Sequence, residues 1–214
     1  MSLTRADLKT GRLQAMVLQS SELASYLLSE EELQASITTT LQAHSPNTDL
    51  WIFAYGSLIW NPCCKFVETR VVKLCGWHRR FCLWAPVGRG TPNHPGLMLG
   101  LDRGGSCQGV AYRIAATEVA AELQLLWRRE MIVGAYVPRW VKVFNGEQAM
   151  EAIAFVINRQ RSLYAGCLSL ETTIESLPQQ ADNLVLVLTI SCKRLMDSLQ
   201  LASKMRHYSF YAIA

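Results

Sequence analysis

The chain has 214 residues, 50% of them apolar and 18% charged, which is enough apolar material for one core of ordinary size. Its formal charge of +4 arises from 21 basic and 17 acidic residues spread along the chain, with no basic block longer than a pair such as Arg79-Arg80 or Arg128-Arg129, and so dispersed an excess argues against a nucleic-acid partner. No window nears the roughly 20 uninterrupted apolar residues of a membrane span, and the first residues are polar and acidic where a secretory signal has its apolar run, so the expectation is a soluble, cytoplasmic protein.

The first fifty residues are helix-like. Leu13, Met16 and Val17, then Leu23, Tyr26 and Leu27, recur at helical spacing, and Ser29 followed by Glu32 forms a capping-box pattern. Residues 1–49 are therefore expected as a helical extension that ends near Ser45-Pro46-Asn47. From Leu50 to Ile157 the pattern changes to short β-rich runs: Leu50 to Ala54, Val71 to Trp84, Leu97 to Leu101, Gln108 to Ile114, Trp140 to Phe144 and Met150 to Ile157. Gly88 to Gly96 carries Pro and Gly at a density that predicts a loop. One helix interrupts the strands, with Thr117 as its N-cap and its end near Met131, before Gly134.

That helix has Val119, Leu123, Leu126, Trp127 and Met131 on one stripe, and Glu130 falls on the same stripe while Arg128 and Arg129 point elsewhere. A carboxylate so placed either pairs with a buried Arg or backbone N–H groups, or serves as a general base whose pKa burial raises toward neutrality. A second feature is Phe53 to Trp60, an apolar strand that meets Gly56 and Ser57, where the backbone can turn and present its N–H groups to a carboxylate; a simple tight turn explains the same residues. Seven cysteines (Cys63, Cys64, Cys75, Cys82, Cys107, Cys167, Cys192) show no CxxC spacing, and the four histidines (His44, His78, His94, His207) are scattered along the chain. Free thiols in a reducing compartment and no metal site are expected.

The runs Tyr-Gly-Ser-Leu-Ile-Trp-Asn-Pro at Tyr55 to Pro62, Gly-Trp-His-Arg-Arg-Phe-Cys-Leu-Trp at Gly76 to Trp84, Gly-Arg-Gly-Thr-Pro at Gly88 to Pro92 and Pro-Gly-Leu-Met-Leu at Pro95 to Leu99 stand in order. They continue with Gly-Gly-Ser-Cys-x-Gly-Val-Ala-Tyr-Arg-Ile at Gly104 to Ile114, Leu-Trp-Arg-Arg-Glu-Met at Leu126 to Met131, Gly-Ala-Tyr-x-Pro-x-Trp at Gly134 to Trp140 and Ala-Phe-Val-Ile-Asn-Arg at Ala154 to Arg159. In these runs, over about Trp51 to Ile174, the chain resembles the ChaC proteins of the γ-glutamylcyclotransferase-like fold. The resemblance implies an α+β fold, a small curved mixed sheet or barrel with flanking helices. It also implies cleavage of glutathione to 5-oxoproline and Cys-Gly without a cofactor.

Carried onto this chain, the resemblance makes Glu130 the catalytic residue and Tyr55, Gly56, Ser57 and Leu58 the holder of the γ-glutamyl group, with Ala54 and Ile59 flanking. Arg89 and Tyr112 are further pocket candidates, for which an exposed loop arginine and a core tyrosine are the plainer readings. After Ile174 the resemblance stops: the family's Gly-x-x-Gly-Ser-Cys-x-Asp-Tyr-Leu segment is replaced by Ala181 to Cys192. Codons able to encode this run can, shifted by one base from Asp182 onward, also spell that motif, so a frameshift near Ala181 is the expectation, and true divergence, with a weak or inactive glutathione-binding protein as its result, is the alternative. The division expected is thus 1–49, a catalytic domain at 50–180, and an atypical segment at 181–214.

Overall fold

The computed structural model describes residues 3–85 and 96–176. Arg89 and the segment from Ala181 onward lie outside the described residues.

The N-terminal region forms four short helices, α1 Arg5–Lys9, α2 Arg12–Leu18, α3 Ser21–Ala24 and α4 Glu30–Leu41. Hydroxyl caps start three of them: Thr4 and Asp7 make a capping box on α1, Ser20 accepts from the Leu23 N–H, and Ser29 with Glu32 makes the expected box on α4. Leu8, Val17, Leu23, Leu33 and Ile37 are their buried anchors.

Five strands follow: β1 Leu50–Ala54, β2 Glu68–Ala85, β3 Gly96–Ile114, β4 Tyr136–Asn145 and β5 Gln148–Ile157. They form a closed barrel in the order β1-β3-β2-β4-β5, shut by a parallel pairing of Ile52 with Ile153 and Phe53 with Ala154. The runs Leu97 to Leu101 and Gln108 to Ile114, expected as separate strands, are one. Gly104 and Gly105 between them take φ of +104° and +63°, and Gly76 opposite takes +83°, so the β2–β3 ladder passes through a bulge between Cys75 and Trp77 and stays paired on both sides.

Alternation along the strands divides the core in two. One cluster, with Phe53, Leu74, Leu101, Val143 and Ala154 among its members, draws on all five strands and no helix and fills the barrel. The opposite strand faces, with Ile52, Ala54, Tyr112, Ile153 and Phe155, pack against Leu33, Ile37, Leu126 and Trp127 of the helices. Trp127 meets Phe155 edge to face with ring centroids 5.0 Å apart.

The helix between β3 and β4 departs from expectation at its start. Thr117 is not an N-cap: it lies inside a 3₁₀ turn, Ala116–Glu118, and α6 runs Val119–Glu130 with no side-chain cap. The Ala116 N–H is taken instead by Asp49 Oδ1 at 2.9 Å, an acceptor supplied from just before β1. Between β1 and β2 lies a single helical turn, α5 Ser57–Trp60, and α7 Leu170–Ser176 is the last element described.

Beyond Leu74, β2 leaves β4 and continues with β3 as a two-stranded arm. The segment after β5 turns back along it, with Trp84 N–H donating to Leu163 O at 2.8 Å and Ala165 N–H to Cys82 O at 2.9 Å. Asp102, fully buried, holds this segment down by accepting from Arg159 Nε at 2.7 Å and from the Tyr164 hydroxyl at 3.0 Å, while Arg80 Nη2 donates to Gly166 O at 2.9 Å.

Candidate active site

β1 delivers the chain out of the sheet at Ala54, and α5 turns it at once. Ile59 N–H donates to Gly56 O at 2.9 Å and Asn61 N–H to Ser57 O at 3.0 Å. A first helical turn has no internal acceptors for its N–H groups, and those of Gly56, Ser57 and Leu58 find none among the described residues. Three donors thus lie together at the strand end. Leu58 and Ile59 are buried and anchor the turn from below, whereas Trp60 is exposed.

Gly56 has φ −141°, outside the left-handed region, and no atom lies within 4 Å of where its Cβ would stand. There is therefore open space beside the N–H groups at this position.

Tyr55 and Tyr112 brace the turn. The Tyr55 hydroxyl donates to Phe155 O at 2.9 Å, and burial first, then the nearby Tyr136, Glu130 and Cys82, pushes its pKa well above the usual tyrosine value. Tyr112 is buried with its hydroxyl committed to Ile59 O at 3.0 Å, so it supports α5 from beneath. The carbonyl of Tyr55 accepts from Arg79 Nη1 at 3.3 Å.

Glu130 closes α6, with a side chain 13% exposed. Arg129, expected to point away, is more deeply placed at 8% and lays Nε 3.0 Å from Glu130 Oε1. Its Nη1 also donates to the carbonyl of Asn61, so one guanidinium ties the carboxylate to the end of the α5 turn. Burial raises the Glu130 pKa above the ordinary carboxylate value, and the charge and hydrogen bond of Arg129 hold that rise back. The result is a carboxylate that holds its proton more strongly than a surface glutamate, linked through Arg129 to Asn61 at the end of the turn.

The structure therefore brings together Ala54 to Ile59, Glu130 and, as a support, Tyr112. Arg79, Arg129, Tyr136 and Cys82 belong to the same neighbourhood and were not picked out as site residues. For Arg79 a signal existed, a charged residue at the strand spacing that puts it on one face with Trp77 and Phe81. A groove of about 220 Å³ between α1, α2 and α6 is lined by neither Glu130 nor the Tyr55 to Leu58 turn. Among the described residues no cluster of His, Cys, Asp or Glu is placed to hold a metal ion, and no helix is long and apolar enough to cross a membrane.

The barrel with its flanking helices is the γ-glutamylcyclotransferase-like fold. It is similar to a solved γ-glutamyl cyclotransferase specific to glutathione from yeast, with a TM-score of 0.59 at 18% identity over 76% of this chain and 99% of that one. The chain belongs to the ChaC family: the family described as ChaC-like protein matches residues 50–208, a stretch that runs past the Ile174 at which the motif resemblance stops. A glutathione-specific γ-glutamylcyclotransferase of Escherichia coli (strain K12) is 43% identical over 141 residues, 65% of this chain and 61% of that protein. The glutathione-specific γ-glutamylcyclotransferase 1 of Homo sapiens is 33% identical over 141 residues, 61% of this chain and 64% of that protein. The chain is thus matched to a little under two thirds of the length of these relatives.

Proposed function

We propose that this chain cleaves glutathione to 5-oxoproline and Cys-Gly, with Glu130 as acid and base and no cofactor. The observation that carries the reading is Glu130 itself, a carboxylate with a raised pKa, tied through Arg129 to the turn with the free amide donors. In this reading the N–H groups of Gly56, Ser57 and Leu58 hold the substrate's α-carboxylate. Glu130 takes a proton from the α-ammonium, and the freed amine attacks the γ-carbonyl carbon. The new C–N bond closes the lactam as the old amide C–N bond to cysteine breaks; Glu130 returns the first proton to the departing nitrogen, and the second proton shed by the attacking nitrogen follows to the same amine, so that Cys-Gly leaves as its ammonium form. Both reacting groups belong to one folded glutamyl chain, so positioning alone supplies much of the acceleration.

The family and the names of the relatives support glutathione as the substrate, and a cytoplasmic, reducing location would supply it. The test is Glu130→Gln, assayed for 5-oxoproline release from a mixed pool of glutathione and γ-glutamyl-alanine. The parent is expected to consume glutathione far faster than γ-glutamyl-alanine. The variant should keep thermal stability and calorimetric affinity for glutathione while losing about 10²–10⁴-fold in turnover. Turnover within a few-fold of the parent would return Glu130 to the role of a buried ion-pair partner, and faster use of γ-glutamyl-alanine would remove the glutathione assignment.

A further inference from the structure

Arg79 stands on β2 opposite Leu101 of β3, at the end of the barrel where β1 runs out, and is half-buried. Its guanidinium spans two main-chain carbonyls, with Nη1 3.3 Å from Tyr55 O and Nη2 3.1 Å from Gln108 O. Among the described residues it makes no ion pair, unlike Arg5, Arg80, Arg113, Arg128, Arg129 and Arg159. A cation that spends its donors on two neutral carbonyls and keeps its charge uncompensated is not there to neutralise a carboxylate of this chain.

The carbonyl it holds belongs to a particular peptide. Tyr55 C=O and Gly56 N–H share one amide plane, and in a trans amide they point to opposite sides; the described chain has no cis peptide bond. Fixing the Tyr55 oxygen on Arg79 therefore fixes the direction of the Gly56 N–H, the first of the three free donors. Tyr55 is already pinned at its other end by its hydroxyl bond to Phe155 O, so the peptide is held from both sides.

We infer that Arg79 is a positioning residue for substrate binding: it orients the Tyr55-Gly56 peptide so that the amide donors of the turn meet the substrate's carboxylate, and its free charge draws that anion toward them. The inference rests on the function proposed above and adds to it a residue that acts through the backbone. Gln108 serves only through its carbonyl, so the fork geometry of arginine matters as well as its charge.

The test compares Arg79→Met and Arg79→Lys with the parent in steady-state cleavage of glutathione, and repeats each in the Glu130→Gln background to obtain the dissociation constant of glutathione by calorimetry. Arg79→Met should raise both KM and this constant about tenfold, equal to about 1.4 kcal/mol, with kcat within a few-fold. Arg79→Lys should recover only a minor part of the loss, since an ammonium keeps the charge but cannot hold two carbonyls in a fixed fork. Should Arg79→Met fail to fold, Arg79→Gln, which keeps one donor, carries the same comparison. Unchanged KM and affinity would overturn the inference, as would full recovery by lysine or a fall in kcat at constant KM. A parent that does not cleave glutathione at all would bring down the proposed function and this inference with it, an outcome separable from the others because it appears before any Arg79 variant is made.

Discussion

At the scale of single residues, Glu130 is set between two opposing influences, burial and the Arg129 guanidinium. In the base role proposed above it works only when ionised, so kcat/KM should fall as pH drops through its pKa, on an acid limb above the ordinary carboxylate range of about 4.3. Arg129→Met keeps the volume apolar and removes the opposing cation. Its acid limb is expected at higher pH than the parent's, because burial then acts alone; a limb that stays in place or moves down would mean that Arg129 does not tune the carboxylate. Stability follows the same sign. A carboxyl whose folded pKa lies above its unfolded one favours the fold in its protonated form, a contribution complete below the unfolded pKa and lost as pH rises through the folded one. Glu130 was legible in the sequence because helical periodicity fixes where a Cβ points. Arg129 was not, since its long side chain leaves a neighbouring position on the helix and wraps back to the Glu130 carboxylate, and periodicity says nothing about where a guanidinium ends.

Helix α6 carries two inward carboxylates that are treated oppositely. Glu122, 1% exposed, accepts from Arg5 Nη2 of α1 at 2.8 Å and from the Lys65 N–H at 3.0 Å. Burial works to raise its pKa, but the Arg5 and Lys65 bonds prevail and hold it below the usual value. This contact docks the helical extension. Arg5→Met should destabilise the fold by about 2 kcal/mol, less than the roughly 3–5 kcal/mol of a fully buried pair because Arg5 itself is 32% exposed. With a depressed folded pKa, the Glu122 contribution is present above the unfolded pKa and is lost as pH falls through the folded one. Urea denaturation should therefore show the full gap between parent and variant at neutral pH and a smaller one in acid; a gap independent of pH would disconnect the effect from Glu122. The helical character and the Ser29 cap of the extension were readable locally. Its docking was not, because Arg5 and Glu122 are 117 residues apart and no local pattern links them. The merging of two runs into β3 was hidden for a related reason: glycines that read as a turn can equally serve a bulge.

For the molecule as a whole, the strand content was legible from alternation and Gly/Pro punctuation, whereas the barrel was legible only through the family resemblance and not from the pattern of the strands. Closure depends on curvature and on β1 finding β5 about a hundred residues later, which pairing preferences within each run do not encode. Gly109 shows how closely the walls fit: a Cβ there would stand 2.4 Å from Ala54 O and 2.6 Å from the Phe53 ring. Gly109→Ala must push β1 from β3, and a loss of about 1–3 kcal/mol is expected as a lower urea midpoint at unchanged slope; an unshifted midpoint would show that the wall yields freely. A closed barrel has no edges, but the β2–β3 arm that extends from it does. The short stretch around Leu163 to Ala165, bridged at Leu83 to Tyr164 and clamped by Asp102, occupies the backbone groups of β2 at Cys82 and Trp84. With those groups already paired, a strand from a second copy has no free backbone to join at Cys82 and Trp84.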